Sequence, residues 1–149
     1  MILGNSTSQS RRLRDHRSRG HGWKPFGLER HESGYSFHLD KKSVLRNVKK
    51  IEVKENSFNN VHRFEVTGLI KLERIVVEAN SICGEGETST FMVEECPSLQ
   101  TVTIGDGSLR EYGIVVMREN ANLTRVELGA WSFNKAWSVE LRGRSEWMV

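Results

Sequence analysis

Four serines recur in one local context along this chain of 149 residues: Ser57-Phe58, Ser81-Ile82, Ser108-Leu109 and Ser132-Phe133. A serine hydroxyl becomes a nucleophile only with a base in hydrogen-bond reach and a group that orients that base. No histidine recurs beside them. A hydroxyl that satisfies backbone groups at a strand-ending turn accounts for all four at once. The histidines, His16, His21, His31, His38 and His62, show no HExxH or comparable ligand spacing. Cys83 and Cys96, with 12 residues between them, form neither a CxxC metal knuckle nor a disulfide framework, and read as small buried apolar side chains. Gly84-Glu85-Gly86 and Gly105-Asp106-Gly107 lack the lysine and the following helix of a phosphate loop. The expectation is therefore a protein that is not an enzyme, with no catalytic residues, no metal and no cofactor.

One other chemistry is present, and it is basic. Residues 1–30 hold seven of the chain's 22 Lys and Arg against two of its 19 Asp and Glu, which leaves 15 basic and 17 acidic residues in 31–149. The net charge of +3 thus belongs to the N-terminal segment, and the remainder is slightly acidic. Arg11, Arg12, Arg14, Arg17 and Arg19 could neutralise phosphates and give salt-sensitive, sequence-independent affinity for nucleic acid. No stacking aromatic alternates with them, and a localisation signal or a solubilising tail would have the same composition. With almost no apolar periodicity, residues 1–34 are expected to be a disordered basic arm. Trp23, Pro25, Phe26 and Leu28 are its apolar cluster, able to dock on the repeats or to anchor a partner.

The serines belong to a longer pattern that sets them in place. Leu99, Val102 and Ile104 are spaced i, i+3, i+5, and the same spacing returns as Val48, Ile51, Val53, as Leu72, Ile75, Val77, and as Leu123, Val126, Leu128. Successive copies are offset by 24, 27 and 24 residues. The serine and an apolar corner residue follow each copy. A second alternating element comes next: Phe64-Glu65-Val66, Phe91-Met92-Val93, Val115-Val116-Met117 and Val139-Glu140-Leu141, with Phe37-His38-Leu39 ahead of the first unit. The three extra residues of the long unit fall in the polar, Gly-rich stretch Cys83–Thr90, where a loop absorbs them at little cost.

Period-2 alternation with β-branched residues reads as strands rather than helices. Each unit then exposes an apolar face that only its neighbours can bury, and stacking turns the columns into ladders. The expected fold is a mainly β repeat solenoid over residues 35–149, about four units of two short strands each. These columns resemble leucine-rich repeats, especially the degenerate BspA-like type with its LxxVxI strand and Ser/Ala-Phe corner, over roughly residues 36–141. The family's asparagine column corresponds here to Leu45, Leu69, Cys96 and Asn120, so the last alone matches.

In such a fold the outward strand positions are free to recognise a partner. On the LxxVxI strands these are Lys50, Glu52, Arg74, Val76, Thr101, Thr103, Arg125 and Glu127; on the second strands they are Glu65, Met92, Val116 and Glu140. Both charge signs mixed with Thr and Val suit a protein or peptide better than a polyanion, although any solvated strand face has this character. The leading expectation is a protein-interaction module, with nucleic-acid binding through the arm as the alternative. Met1-Ile2-Leu3 is too short for a signal peptide, and no run approaches the roughly 20 apolar residues of a membrane span, so an intracellular setting is the default. The last strand has no evident capping unit beyond it. Three readings of that end stand open: Trp147 and Met148 fold back on it, the chain is a fragment, or two copies meet there.

Overall fold

The computed structural model describes residues 1–3, 28–31, 34–42, 45–84 and 86–142, and within them the chain is all strand, with no helix. The paired elements of each unit become strands on opposite sides of a flattened coil. Sheet A contains β1 (Ile2–Leu3), β4 (Lys50–Val53), β6 (Arg74–Val77), β8 (Thr101–Ile104) and β10 (Arg125–Leu128), in that spatial order. Sheet B runs β11 (Ser138–Leu141), β9 (Ile114–Arg118), β7 (Thr90–Glu94), β5 (Val61–Thr67), β3 (Gly34–Leu39), β2 (Leu28–His31). All neighbours are parallel except β2 and β3. This is a β-solenoid of about four coils.

Register follows the sequence columns. Ile51 pairs with Ile75, Ile75 with Val102, and Val102 with Val126. On sheet B, Phe37 pairs with Phe64, Phe64 with Phe91, Phe91 with Val115, and Val115 with Val139. Parallel in-register stacking places like over like, so the second-strand column becomes a file of rings. Phe37 and Phe64 stack with centroids 4.7 Å apart and Phe64 and Phe91 at 5.4 Å, while Phe58 meets Phe37 edge-on at 5.3 Å. Aromatic pairs in these arrangements add to the stability that comes from area burial alone.

The corners carry a repeated backbone device. Phe58, Ile82, Leu109 and Phe133 all have left-handed φ, between 53° and 60°. This is an unfavourable region for bulky side chains and more so for a β-branched one. It is held because the turn swings these apolar side chains into the core, where Ile82 and Leu109 are fully buried. Two residues earlier in each coil, Asn56, Asn80, Gly107 and Trp131 are left-handed as well, and Gly68, Glu95 and Glu119 mark the corner after sheet B.

The N-terminal segment departs from the expected arm at both its ends. Ile2–Leu3 lies parallel on β4, with the Met1 ammonium donating to the Lys50 carbonyl oxygen at 2.7 Å, and Leu28–His31 pairs antiparallel with β3. Both segments therefore cover the first strand of a sheet. The rest of the expected arm, including Arg11, Arg12, Arg14, Arg17, Arg19 and the Trp23-Pro25-Phe26 cluster, lies outside the described residues, as do Trp147 and Met148. Among the described residues no helix is long and apolar enough to cross a membrane.

The ladders also end differently from the periodic pattern. Leu128 and Val139 stand in core columns, yet they are 43% and 54% exposed. Their column-mates Ile104 and Val115 are buried because another coil follows them. No described coil follows Leu128 or Val139.

Candidate functional site

The recurrent serines are structural in their bonding. Ser81 donates its hydroxyl to the Lys54 carbonyl oxygen at 2.7 Å and accepts the Ser57 N–H at 3.3 Å. Ser108 repeats this one coil on, donating to the Glu78 carbonyl oxygen at 2.8 Å and accepting the Ser81 N–H at 3.0 Å. Ser132 donates to the Gly105 carbonyl oxygen. Ser57, Ser81 and Ser108 are buried, and each hydroxyl saturates backbone groups that a corner would otherwise leave unpaired.

A shorter ladder stands at the opposite corner. Asn120 accepts the Cys96 N–H at 3.0 Å and donates its amide to the Val93 carbonyl oxygen at 2.9 Å. Cys96, in the same column, donates to the Glu94 carbonyl oxygen, and its sulfur accepts from the backbone of Leu69 and Gly68. Burial pushes the Cys96 thiol up to about 11, which keeps it protonated and inert. Cys83 is half-buried, its thiol also raised by burial, so the expectation of two buried cysteines holds fully for Cys96.

His38 sits on sheet B with its Nδ1 3.1 Å from Glu65 Oε2 and its Nε2 3.5 Å from Asp40. Among the described residues no group of three or more His, Cys, Asp or Glu is arranged to hold a metal. Sequence reasoning missed this contact between His38 and Glu65, because the two lie 27 residues apart and meet only through the register of β3 and β5.

All eight outward positions expected on the LxxVxI strands do face outward, and the pairing assembles them into two rows. Lys50, Arg74, Thr101 and Arg125 form one row; Glu52, Val76, Thr103 and Glu127 form the other. The flanking strands neutralise themselves. Glu52 is 2.7 Å from Lys50 and also meets Lys54, which reaches Glu78 in the next coil at 2.6 Å. On β10, Arg125 lies 2.5 Å from Glu127, which also accepts the Thr103 hydroxyl at 3.0 Å. In the centre, Arg74 has no ion pair or side-chain hydrogen bond among the described residues, and half-buried Val76, Thr101 and Thr103 lie around it. Sheet B places Glu65, Met92, Val116 and Glu140 in an equivalent outward row, with His38 before Glu65.

The lysine clasp leaves a measurable trace. Hydrogen bonds from Lys50 and then Lys54 hold the Glu52 carboxyl down from its ordinary 4.5 to about 2. A depressed carboxylate contributes stability that is complete above the unfolded-state value and is lost as pH falls through the folded one. The contribution should therefore be constant above about pH 5 and fade between 4.5 and 2. Glu52→Gln should flatten that part of a pH series of denaturation midpoints, and high salt should shrink it, because the group is near solvent.

Compared with known proteins, the chain matches no family model, no curated protein and no solved structure.

Proposed function

We propose that this β-solenoid is a non-enzymatic recognition module that presents the outward face of sheet A to a protein or peptide. The observation that carries the reading is the arrangement of that face: a guanidinium at Arg74 with no ion pair among the described residues, beside Val76, Thr101 and Thr103 and bordered by strands whose charges are matched internally. Arginine with apolar and hydroxyl neighbours at the centre and charged pairs at the rim is the composition of an interface. The partner's complement to Arg74 is a carboxylate, since a planar guanidinium binds one through two parallel hydrogen bonds. The coil itself reads as a divergent leucine-rich repeat of the BspA-like type. In support, Asn120 joins its own coil to the one before, which is the task of the family's asparagine column.

The test is affinity capture with the full chain and with Arg74→Glu/Thr103→Arg, followed by titration of the purified captured protein. The double variant should bind about tenfold more weakly or worse. Equal capture and equal affinity would sink the reading.

The charge segregation of the sequence supports a second activity, nucleic-acid contact through Arg11, Arg12, Arg14, Arg17 and Arg19. Truncation is a poor test, because residues 1–3 and 28–31 belong to the sheets. Replacing the five arginines by serine leaves those strands intact. RNA binding whose logarithm falls linearly with the logarithm of salt, and which the replacement abolishes, would establish it.

A further inference from the structure

Five large apolar side chains stand exposed among the described residues, and four of them, Leu128, Trp131, Trp137 and Val139, belong to the last coil. The same coil contributes β10 and β11, the terminal strands of sheets A and B, neither of which pairs with a further strand among the described residues. The other end of the solenoid is covered on both sheets, by β1 over β4 and by β2 over β3. Exposed strand edges beside an apolar surface are a template for pairing with another chain. An occupant of this end has to satisfy two strand edges at once and cover the open columns between them.

The outward charges of these edges identify an occupant that does so. β10 carries Arg125 and Glu127 either side of inward Val126, and β11 with the residue after it carries Glu140 and Arg142 either side of Leu141. Each strand thus bears one cation and one anion two positions apart, matched within the strand at 2.5 Å and 2.8 Å. Such an edge is complementary to itself when reversed. In an antiparallel pair, directly opposite residues share a face of the sheet. Pairing β10 with its own copy about Val126 sets Arg125 opposite Glu127 of the partner subunit. Pairing β11 about Leu141 likewise sets Glu140 opposite Arg142 of the partner subunit. Both pairings keep apolar residues inward, and no like charges face each other.

We infer that two copies of this chain join through their last coils about a two-fold axis, continuing both sheets across the junction. The interface is isologous and closed, because the two-fold axis pairs the same two strands of each copy with each other. It lies at the end of the solenoid, so the outward face of β6 and β8 stays available to a different partner.

Sedimentation of the full chain across micromolar concentrations tests this, with the expected result a species of twice the monomer mass. Arg125→Glu places Glu opposite Glu, and Glu127→Arg places Arg opposite Arg, so each should weaken the dimer about tenfold or more. Combining the two substitutions restores opposite charges and should restore the dimer. Val139→Lys should dissociate it, and Arg74→Glu should leave it intact, which separates this result from failure of the recognition reading. Arg125 and Glu127 are exposed, so these variants retain the fold. A monomer at every concentration overturns the inference, whether residues 143–149 or another protein covers this end. A dimer indifferent to the charge substitutions and to Val139→Lys overturns it equally.

Discussion

Replacing Phe64 by alanine is expected to lower the free energy of unfolding by about 3–5 kcal/mol. The ring is fully buried and stacked on both sides, on Phe37 and on Phe91, with Phe58 edge-on at 6.3 Å. No neighbour can collapse into the gap, because the flanking rings are held by strand register above and below. Single domains have only about 5–15 kcal/mol in total, so this substitution removes a large fraction of it. The check is a urea titration, in which the midpoint should fall with little change in slope. Val139→Ala in the same column, made in the Arg125→Glu background that keeps the chain monomeric, supplies the control. At 54% exposure it should cost less than about 1 kcal/mol. Equal losses at the two positions would show that burial by the next coil does not control the column.

Ser81→Ala is the second large effect, and it separates a structural serine from a catalytic one. The substitution strands the Ser57 N–H and the Lys54 carbonyl oxygen in a buried corner. Each unsatisfied buried group costs about 1–3 kcal/mol, so a total loss of about 2–6 kcal/mol is expected, an effect far beyond that of an exposed serine. Thermal or chemical denaturation measures it. A variant as stable as the parent would mean that the hydroxyl is not needed at the corner, and the nucleophile reading would regain its place.

Most of the fold was legible because a solenoid is periodic in sequence and in space. The spacing of Leu72, Ile75 and Val77 against Leu99, Val102 and Ile104 predicts their stacking directly, since each coil contacts only its neighbours. The outward rows follow from the same period, which sets Arg74 beside Thr101. The covering strands were not legible. Leu28-Glu29-Arg30-His31 has no strand-like alternation, and its place depends on an edge offered by Gly34–Leu39. Nor could the left-handed corners be read at Phe58 and Ile82, whose residue types avoid that conformation. Burial of the side chain decides there, and burial is a tertiary property. Exposure at Leu128 and Val139 is the converse case, in which no described coil lies over an apolar residue in the right column.

The candidate surface was legible as a list, but its character was not. Sequence alone gives Lys50, Glu52, Arg125 and Glu127 equal standing with Arg74. The ion pairs on β4 and β10 distinguish them, leaving Arg74 as the charged side chain of this face without an ion pair among the described residues. Those pairs depend on side-chain geometry within and between coils, as in the reach of Lys54 to Glu78 across 24 residues.

Hydrogen exchange of the full chain, with and without the protein captured through sheet A, tests the recognition surface most directly. Slowed exchange centred on β6 and β8, lost with Arg74→Glu/Thr103→Arg, is the predicted result. Protection confined to β5, β7 and β9, or unchanged by the double variant, would contradict the assignment of sheet A as the recognition face.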